Sequence, residues 1–174
     1  MISELHNCDC IEFMRSLPDK YFSLAIADPP YNLKPSSVKG AGKLKNRVLN
    51  TGNMDWDVAP PKDFWDELFR VSKNQIIWGG NYFNLPPTRC VIAWDKCQPW
   101  PNFSQVEIAW TSFDKPAKIF RFDARSMKNR FHPTGKPVEL YAFCIEQFAH
   151  RGGGNVQYST RWQEAEAVAS QHTS

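Results

Sequence analysis

Phe22-Ser23-Leu24-Ala25-Ile26-Ala27-Asp28-Pro29-Pro30-Tyr31 is the stretch from which the rest of the chain is read. Its apolar run is short, bounded and without a polar alternation, the pattern of a strand buried on both faces of a sheet. Two prolines then halt the ladder, because neither brings a backbone N–H. Any given tetrapeptide such as Asp28-Pro29-Pro30-Tyr31 occurs by chance in roughly one chain in a thousand of this length.

Upstream, Asp9 is placed to cap a helix in which Ile11, Phe13, Met14 and Leu17 recur at helical spacing before Pro18. Downstream, residues 32–60 read as a long polar loop, and loops of that length in compact domains are usually functional. Pro61-Lys62-Asp63 opens a helix whose buried stripe is Phe64, Trp65, Leu68, Phe69 and Val71. Strands are expected at 75–78, closed by Gly79-Gly80, and at 90–94, ending at Asp95-Lys96. Two further strands, 106–110 and 117–122, are close enough to be expected as paired neighbours. Pro137 is read as the first residue of a helix running to about Ala149. Trp78, Trp94 and Trp110 fall in strands and are read as core. The pattern predicts an α/β protein with a mixed sheet, helices on its faces and antiparallel edge strands. Ligands of such sheets sit beyond the carboxyl ends of strands, where Asp28, Gly79 and Asp95 fall.

With 174 residues, the chain fits one compact domain with a tail. It is 42% hydrophobic and 22% charged, the balance of an ordinary folded chain. No apolar run is long enough for a membrane span, and Met1-Ile2-Ser3-Glu4-Leu5 lacks the pattern of a signal peptide. The five cysteines (Cys8, Cys10, Cys90, Cys97, Cys144) show no framework spacing and are read as reduced, mostly buried thiols of a cytoplasmic protein. A zinc site joining them to His6 or His132 is the weaker alternative.

Net charge is +3, unevenly placed. Leu33 to Met54 carries Lys34, Lys39, Lys43, Lys45 and Arg47 with no acid. Lys115 to Lys136 carries Lys115, Lys118, Arg121, Arg125, Lys128, Arg130 and Lys136 against Asp123 alone. Facing one way, the two segments would form a strip for a phosphate backbone; facing apart, they are solvated loops.

The exocyclic amine of a nucleobase is a poor nucleophile, because its lone pair is delocalised into the ring. A carboxylate and a carbonyl accepting its hydrogen bonds return density to the nitrogen. Asp28 offers the carboxylate, and Pro29 a carbonyl held by a rigid turn. Tyr31 offers a flat face for stacking, and a base must leave its duplex to reach such a pocket.

Asp28-Pro29-Pro30-Tyr31 resembles the catalytic motif of amino-group DNA methyltransferases, the N6-adenine and N4-cytosine type. Asn7-Cys8-Asp9-Cys10-Ile11-Glu12 through Leu17-Pro18-Asp19 is similar to the segment before that motif in the permuted, beta-type members. Ile77-Trp78-Gly79-Gly80-Asn81-Tyr82-Phe83, Val91 to Lys96 and Glu107 to Phe113 resemble the phage- and prophage-borne branch. His132-Pro133-Thr134-Gly135-Lys136-Pro137 resembles the late motif of the class, with Gly135 where Gln is usual. The resemblance covers residues 1 to about 150.

It implies a Rossmann-like sheet that binds S-adenosylmethionine. Asp28, Pro29, Pro30 and Tyr31 would form the target-base pocket, with adenine favoured by the leading Asp. Asp9, Cys10 and Asp28 would line the cofactor on one side, and His132, Thr134 and Lys136 on the other. Lys34, Lys39, Lys43, Lys45, Arg47, Arg125, Lys128 and Arg130 would approach double-stranded DNA.

Beyond that point the pattern stops. The class continues with a strand and a glycine-rich turn around the cofactor, a unit of about 30 residues. Here the last 24 residues open with Gly152-Gly153-Gly154, which no strand precedes, and show no strand-like apolar run. The expectation is therefore a partial catalytic domain over 1–150, incomplete in its cofactor half, and a disordered tail over 151–174. An open sheet edge there would favour self-association. The alternative to an impaired methyltransferase is a remnant that binds nucleic acid without catalysis.

Overall fold

The computed structural model describes residues 2–33, 57–99, 104–126 and 135–149, together with the backbone of 155–159 and 166–171. The strands are β1 (Ile2–Asn7), β2 (Phe22–Asp28), β3 (Ser72–Trp78), β4 (Val91–Asp95), β5 (Val106–Thr111), β6 (Lys118–Arg121), β7 (Asn155–Ser159) and β8 (Glu166–Gln171), and the helices α1 (Cys10–Arg15), α2 (Lys62–Val71) and α3 (Val138–Phe148). The strands form one mixed sheet in the order β1-β8-β7-β2-β3-β5-β4-β6.

At its centre β2 and β3 run parallel, with Ala27 opposite Ile77. Their side chains alternate between two cores, as the period of a strand requires. Ala25, Ala27 and Ile77 face the core of Met14, Phe64, Leu68 and Val71 from α1 and α2. Leu24, Ile26, Ile76 and Trp78 face the core of Leu140, Cys144 and Phe148 from α3. Because both faces are covered, β2 has no polar alternation to show. Each large apolar side chain removed from water contributes about 1.5–3 kcal/mol.

The helix ends follow from local chemistry. The Asp9 carboxylate caps α1, accepting from the N–H of Ile11 and Glu12. Pro61 and Pro137 sit one position earlier than expected, as the caps of α2 and α3 rather than their first residues. α2 passes into β3 without a loop. Buried Ser72 turns the chain, donating its hydroxyl to the Leu68 carbonyl, and Gln75 Nε2 donates to Ser72. Lys20 Nζ donates to the Phe69 and Ser72 carbonyls at that junction.

Two expectations are corrected, the second in part. Strands β5 and β6 are not neighbours: β4 lies between them, antiparallel to β5 and parallel to β6. The link between them contains Pro116 and the buried Phe113, which packs against Phe148 under α3. Such a link crosses the sheet instead of closing a hairpin. The antiparallel strand β5 is consequently interior and the edge strand β6 is parallel to its neighbour, while the other edge strand, β1, is antiparallel to β8. Beyond residue 150 the described backbone continues the sheet. It supplies β7, parallel to β2, and β8, antiparallel to β7 and β1. A central strand such as β2 must satisfy both rows of its backbone groups, and β7 takes the row that β3 leaves. Among the described residues no helix is long and apolar enough to cross a membrane.

Candidate active site

The site is built where β2 ends. Asp28 is the last residue of the strand, and Pro29 and Pro30 that follow are buried. They cannot extend the ladder, so the chain turns and lays Tyr31 beside the end of β3. There the backbone must be bare: Gly79 has φ +67°, and a Cβ on it would come within 2.2 Å of the Tyr31 ring. Tyr82, on the 3-10 turn that follows, stacks on Tyr31 with centroids 5.1 Å apart and planes 23° from parallel. Phe83 meets Tyr31 edge-on. Half-exposed Tyr82 makes the outer face of this aromatic wall.

Below the wall lies a chain of charges. The Tyr31 hydroxyl donates to Asp28 Oδ1 at 2.7 Å, and Lys136 Nζ donates to the same oxygen at 2.6 Å. Lys136 also donates to the Tyr31 hydroxyl oxygen at 3.1 Å. Its side chain is 2% exposed and passes over the rings of Trp78 and Tyr31, 5.5 and 5.6 Å from their centroids. On the far side of the ammonium, Glu107 Oε2 stands 3.3 Å away. That approach is an ion pair without the direction of a hydrogen bond, and Oε2 is a buried acceptor with no hydrogen-bond donor. The other oxygen, Oε1, accepts from Lys96. Two carboxylates and two ammonium groups thus balance in a largely closed space.

The electrostatics follow from burial and partners. Burial pushes the Glu107 carboxyl up, but the Lys136 and Lys96 ammonium groups outweigh it and hold the carboxyl below its ordinary range. Burial, and then the Asp28 carboxylate, push the Tyr31 phenol far up, so it stays a protonated donor.

The exit from the turn is fixed separately. Asn32 adopts φ +55°, and its N–H and that of Leu33 point together at the Asp57 carboxylate, at 2.8 and 2.7 Å. Asp57 is buried at 5% exposure, and its two oxygens are satisfied by the main chain of Asn32 and Leu33.

Of the residues singled out from sequence, Asp28, Pro29, Pro30, Tyr31 and Lys136 come together here. Lys136 touches the target-base motif itself, where the resemblance gave it to the cofactor. Asp9 is occupied as the cap of α1, and Cys10 is a core thiol, 6% exposed, whose pKa burial pushes up to about 11. Arg125 grips Asp123 with two nitrogens and draws that carboxyl down to about 2. His132, Thr134, Lys34, Lys39, Lys43, Lys45, Arg47, Lys128 and Arg130 lie outside the described residues. Of the residues named for S-adenosylmethionine, Asp9 accepts two backbone N–H groups on Oδ1 and Cys10 is a core thiol. Among the described residues no cluster of three or more His, Cys, Asp or Glu could hold a metal ion.

Sequence reasoning missed the roles of Glu107, Lys96, Tyr82 and Asp57. Glu107 and Lys96 had a signal, as charged residues in or beside otherwise apolar strand segments. The grip of Asp57 on residues 25 positions away left none.

No family model matches the chain. Over 88 residues it is 32% identical to the type II methyltransferase M.BamHI of Bacillus amyloliquefaciens. The match takes in 49% of this chain and 18% of the relative, so the chain spans under a fifth of that protein. What this chain is similar to, over about half its length, is a type II methyltransferase.

Proposed function

We propose that this chain carries the target-base half of a DNA methyltransferase site, one that acts on the exocyclic amine of an everted base, adenine N6. The observation that carries the reading is the Asp28 carboxylate at the end of β2, already taking a nitrogen donor at 2.6 Å beneath stacked Tyr31 and Tyr82. Similarity to a type II methyltransferase supports it.

The chemistry of the chain's own residues is then as follows. An amine hydrogen-bonded to Asp28 has its N–H aimed at the carboxylate and its lone pair turned outward. Tyr31, donating its own hydroxyl to Asp28, fixes the carboxylate plane. The aromatic wall supplies an apolar face for a planar base, worth about 1–3 kcal/mol of stacking per base. The methyl donor of this reaction class is S-adenosylmethionine. The basic residues between Leu33 and Met54 and between Lys115 and Lys136 are the proposed approach to duplex DNA.

The experiment follows transfer of labelled methyl from S-adenosylmethionine to duplex DNA of mixed sequence by the intact chain. Transfer that disappears in Asp28→Ala, with DNA affinity nearly kept, supports the reading. Absence of S-adenosylmethionine binding by calorimetry up to millimolar concentration overturns the enzyme reading. The same absence favours the second one, a nucleic-acid-binding remnant. Loss of salt-dependent DNA binding as well would remove both.

A further inference from the structure

The Lys136 ammonium and the Tyr31 hydroxyl both donate to Asp28 Oδ1. An amine that bonds to that same oxygen competes with the ammonium for it and would displace Lys136. A buried cation stripped of its partner is costly, by several kcal/mol. Among the described residues, the exit with a charge to match is the one behind it, where Glu107 Oε2 lies 3.3 Å off with no hydrogen-bond donor of its own.

We propose that Lys136 and Glu107 are positioning residues for Asp28: the ammonium rests on Asp28, and passes to Glu107 Oε2 when a neutral aromatic amine docks. This rests on the reading of Asp28 as the amine acceptor. A movement of about half an ångström turns the ion pair into a charge-assisted hydrogen bond. Lys96, bonded to Oε1, holds the Glu107 carboxylate still while this happens. The Trp78 ring lines the path and stays beside the cation throughout the exchange.

The exchange also sets a chemical class. Asp28, Glu107, Lys96 and Lys136 sum to zero charge, so a neutral amine enters without unbalancing them. An alkylammonium would bring a third cation against two carboxylates in a largely closed space. The site therefore takes the amine of an aminopurine or aminopyrimidine and rejects a lysine-like side chain.

The test uses the full chain labelled with ¹³C in its lysine side chains. The Lys136 ε-carbon signal is identified as the one that vanishes in Lys136→Arg. The probes are adenosine, purine riboside (the same nucleoside without the amine) and methylammonium. The expected result is a saturable shift of the Lys136 signal with adenosine and none with the other two. Glu107→Gln is expected to weaken adenosine binding at least tenfold, and Glu107→Asp to recover part of it. Adenosine binding that leaves the Lys136 signal unmoved overturns the proposal. So does equal binding by Glu107→Gln, a shift with purine riboside, or no adenosine binding at all. The wild-type comparison of adenosine with purine riboside decides even where Glu107→Gln fails to fold. The two readings fail separately. Movement of Lys136 without methyl transfer to DNA sinks the methylation reading alone, and transfer without movement sinks the exchange alone.

Discussion

Tyr31 lies against Gly79, and no other residue fits there: a Cβ at position 79 would stand 2.2 Å from the ring edge, on a backbone with φ +67°. Two strand ends are thereby locked to each other through one aromatic ring and one missing side chain. Gly79→Ala must push Tyr31 off the wall and adopt a strained backbone, at a cost of about 1–2 kcal/mol for the φ alone. The expected outcome is a lower melting temperature, together with loss of the Tyr31–Asp28 hydrogen bond. The second effect shows as a phenol that titrates closer to its ordinary range by ultraviolet absorbance.

Acidification acts on the chain of charges. The carboxyl of Glu107 is held below its unfolded value of about 4.3. A depressed carboxyl contributes stability that is present above the unfolded value and lost as pH falls through the folded one. Unfolding by urea is therefore expected to become easier below about pH 4.3. Lys136→Met should remove part of this dependence, because one of the two cations opposing burial at Glu107 is then gone. A midpoint that falls with equal steepness in wild type and variant would show that Glu107 plays no part.

The thiols are expected to separate by burial. Cys8 and Cys97 are exposed, whereas Cys10, Cys90 and Cys144 are buried. Burial pushes the pKa of Cys10 up to about 11 and that of Cys144 up to about 12. At pH 8 in native buffer, iodoacetamide should mark Cys8 and spare Cys10 and Cys144, as read by mass spectrometry of peptides. Urea should abolish the difference.

The packing beneath the site can be probed away from it. Leu68 is fully buried on the inner face of α2, against the same core as Ile77 of β3. Leu68→Ala is expected to cost about 2–5 kcal/mol of unfolding free energy. A cost below about 1 kcal/mol would mean that α2 is not seated on the sheet as described.

Charge removal at Lys43 and Lys45 tests the proposed approach to DNA. For every phosphate that a removed lysine had neutralised, the slope of log affinity against log salt should become shallower by about 0.9. An unchanged slope would take that segment out of the interface.

Much of this was legible in the sequence because it is local. The run from Phe22 to Asp28 declares a strand, Asp9 declares a cap, and the two prolines declare a turn. The alternation of Ile76, Ile77 and Trp78 between two cores follows from strand period once the strand is known. What escaped is whatever depends on the order of strands. The placement of β4 between β5 and β6 turns on Phe113 sinking under α3, which spacing does not encode. The bonds of Lys136 with Asp28 and Glu107 join three elements far apart in the chain. The motif resemblance found Lys136 and put it beside the cofactor, because a late motif names residues without saying which strand end they reach. Strands β7 and β8 were missed because polar residues interrupt them, and the place of β7 beside β2 and of β8 between β7 and β1 is set by backbone pairing that any side chain tolerates.

The carboxylate of Asp57 has one more effect. By taking the N–H groups of Asn32 and Leu33 it brings both feet of the 34–56 stretch to a single anchor. Chain hung from one such rivet can grow, shrink or be exchanged at little entropic cost, since closure depends only weakly on length. The sheet and the Asp28 turn are insulated from those changes. A lineage could thus rewrite this stretch while leaving untouched the turn at its root.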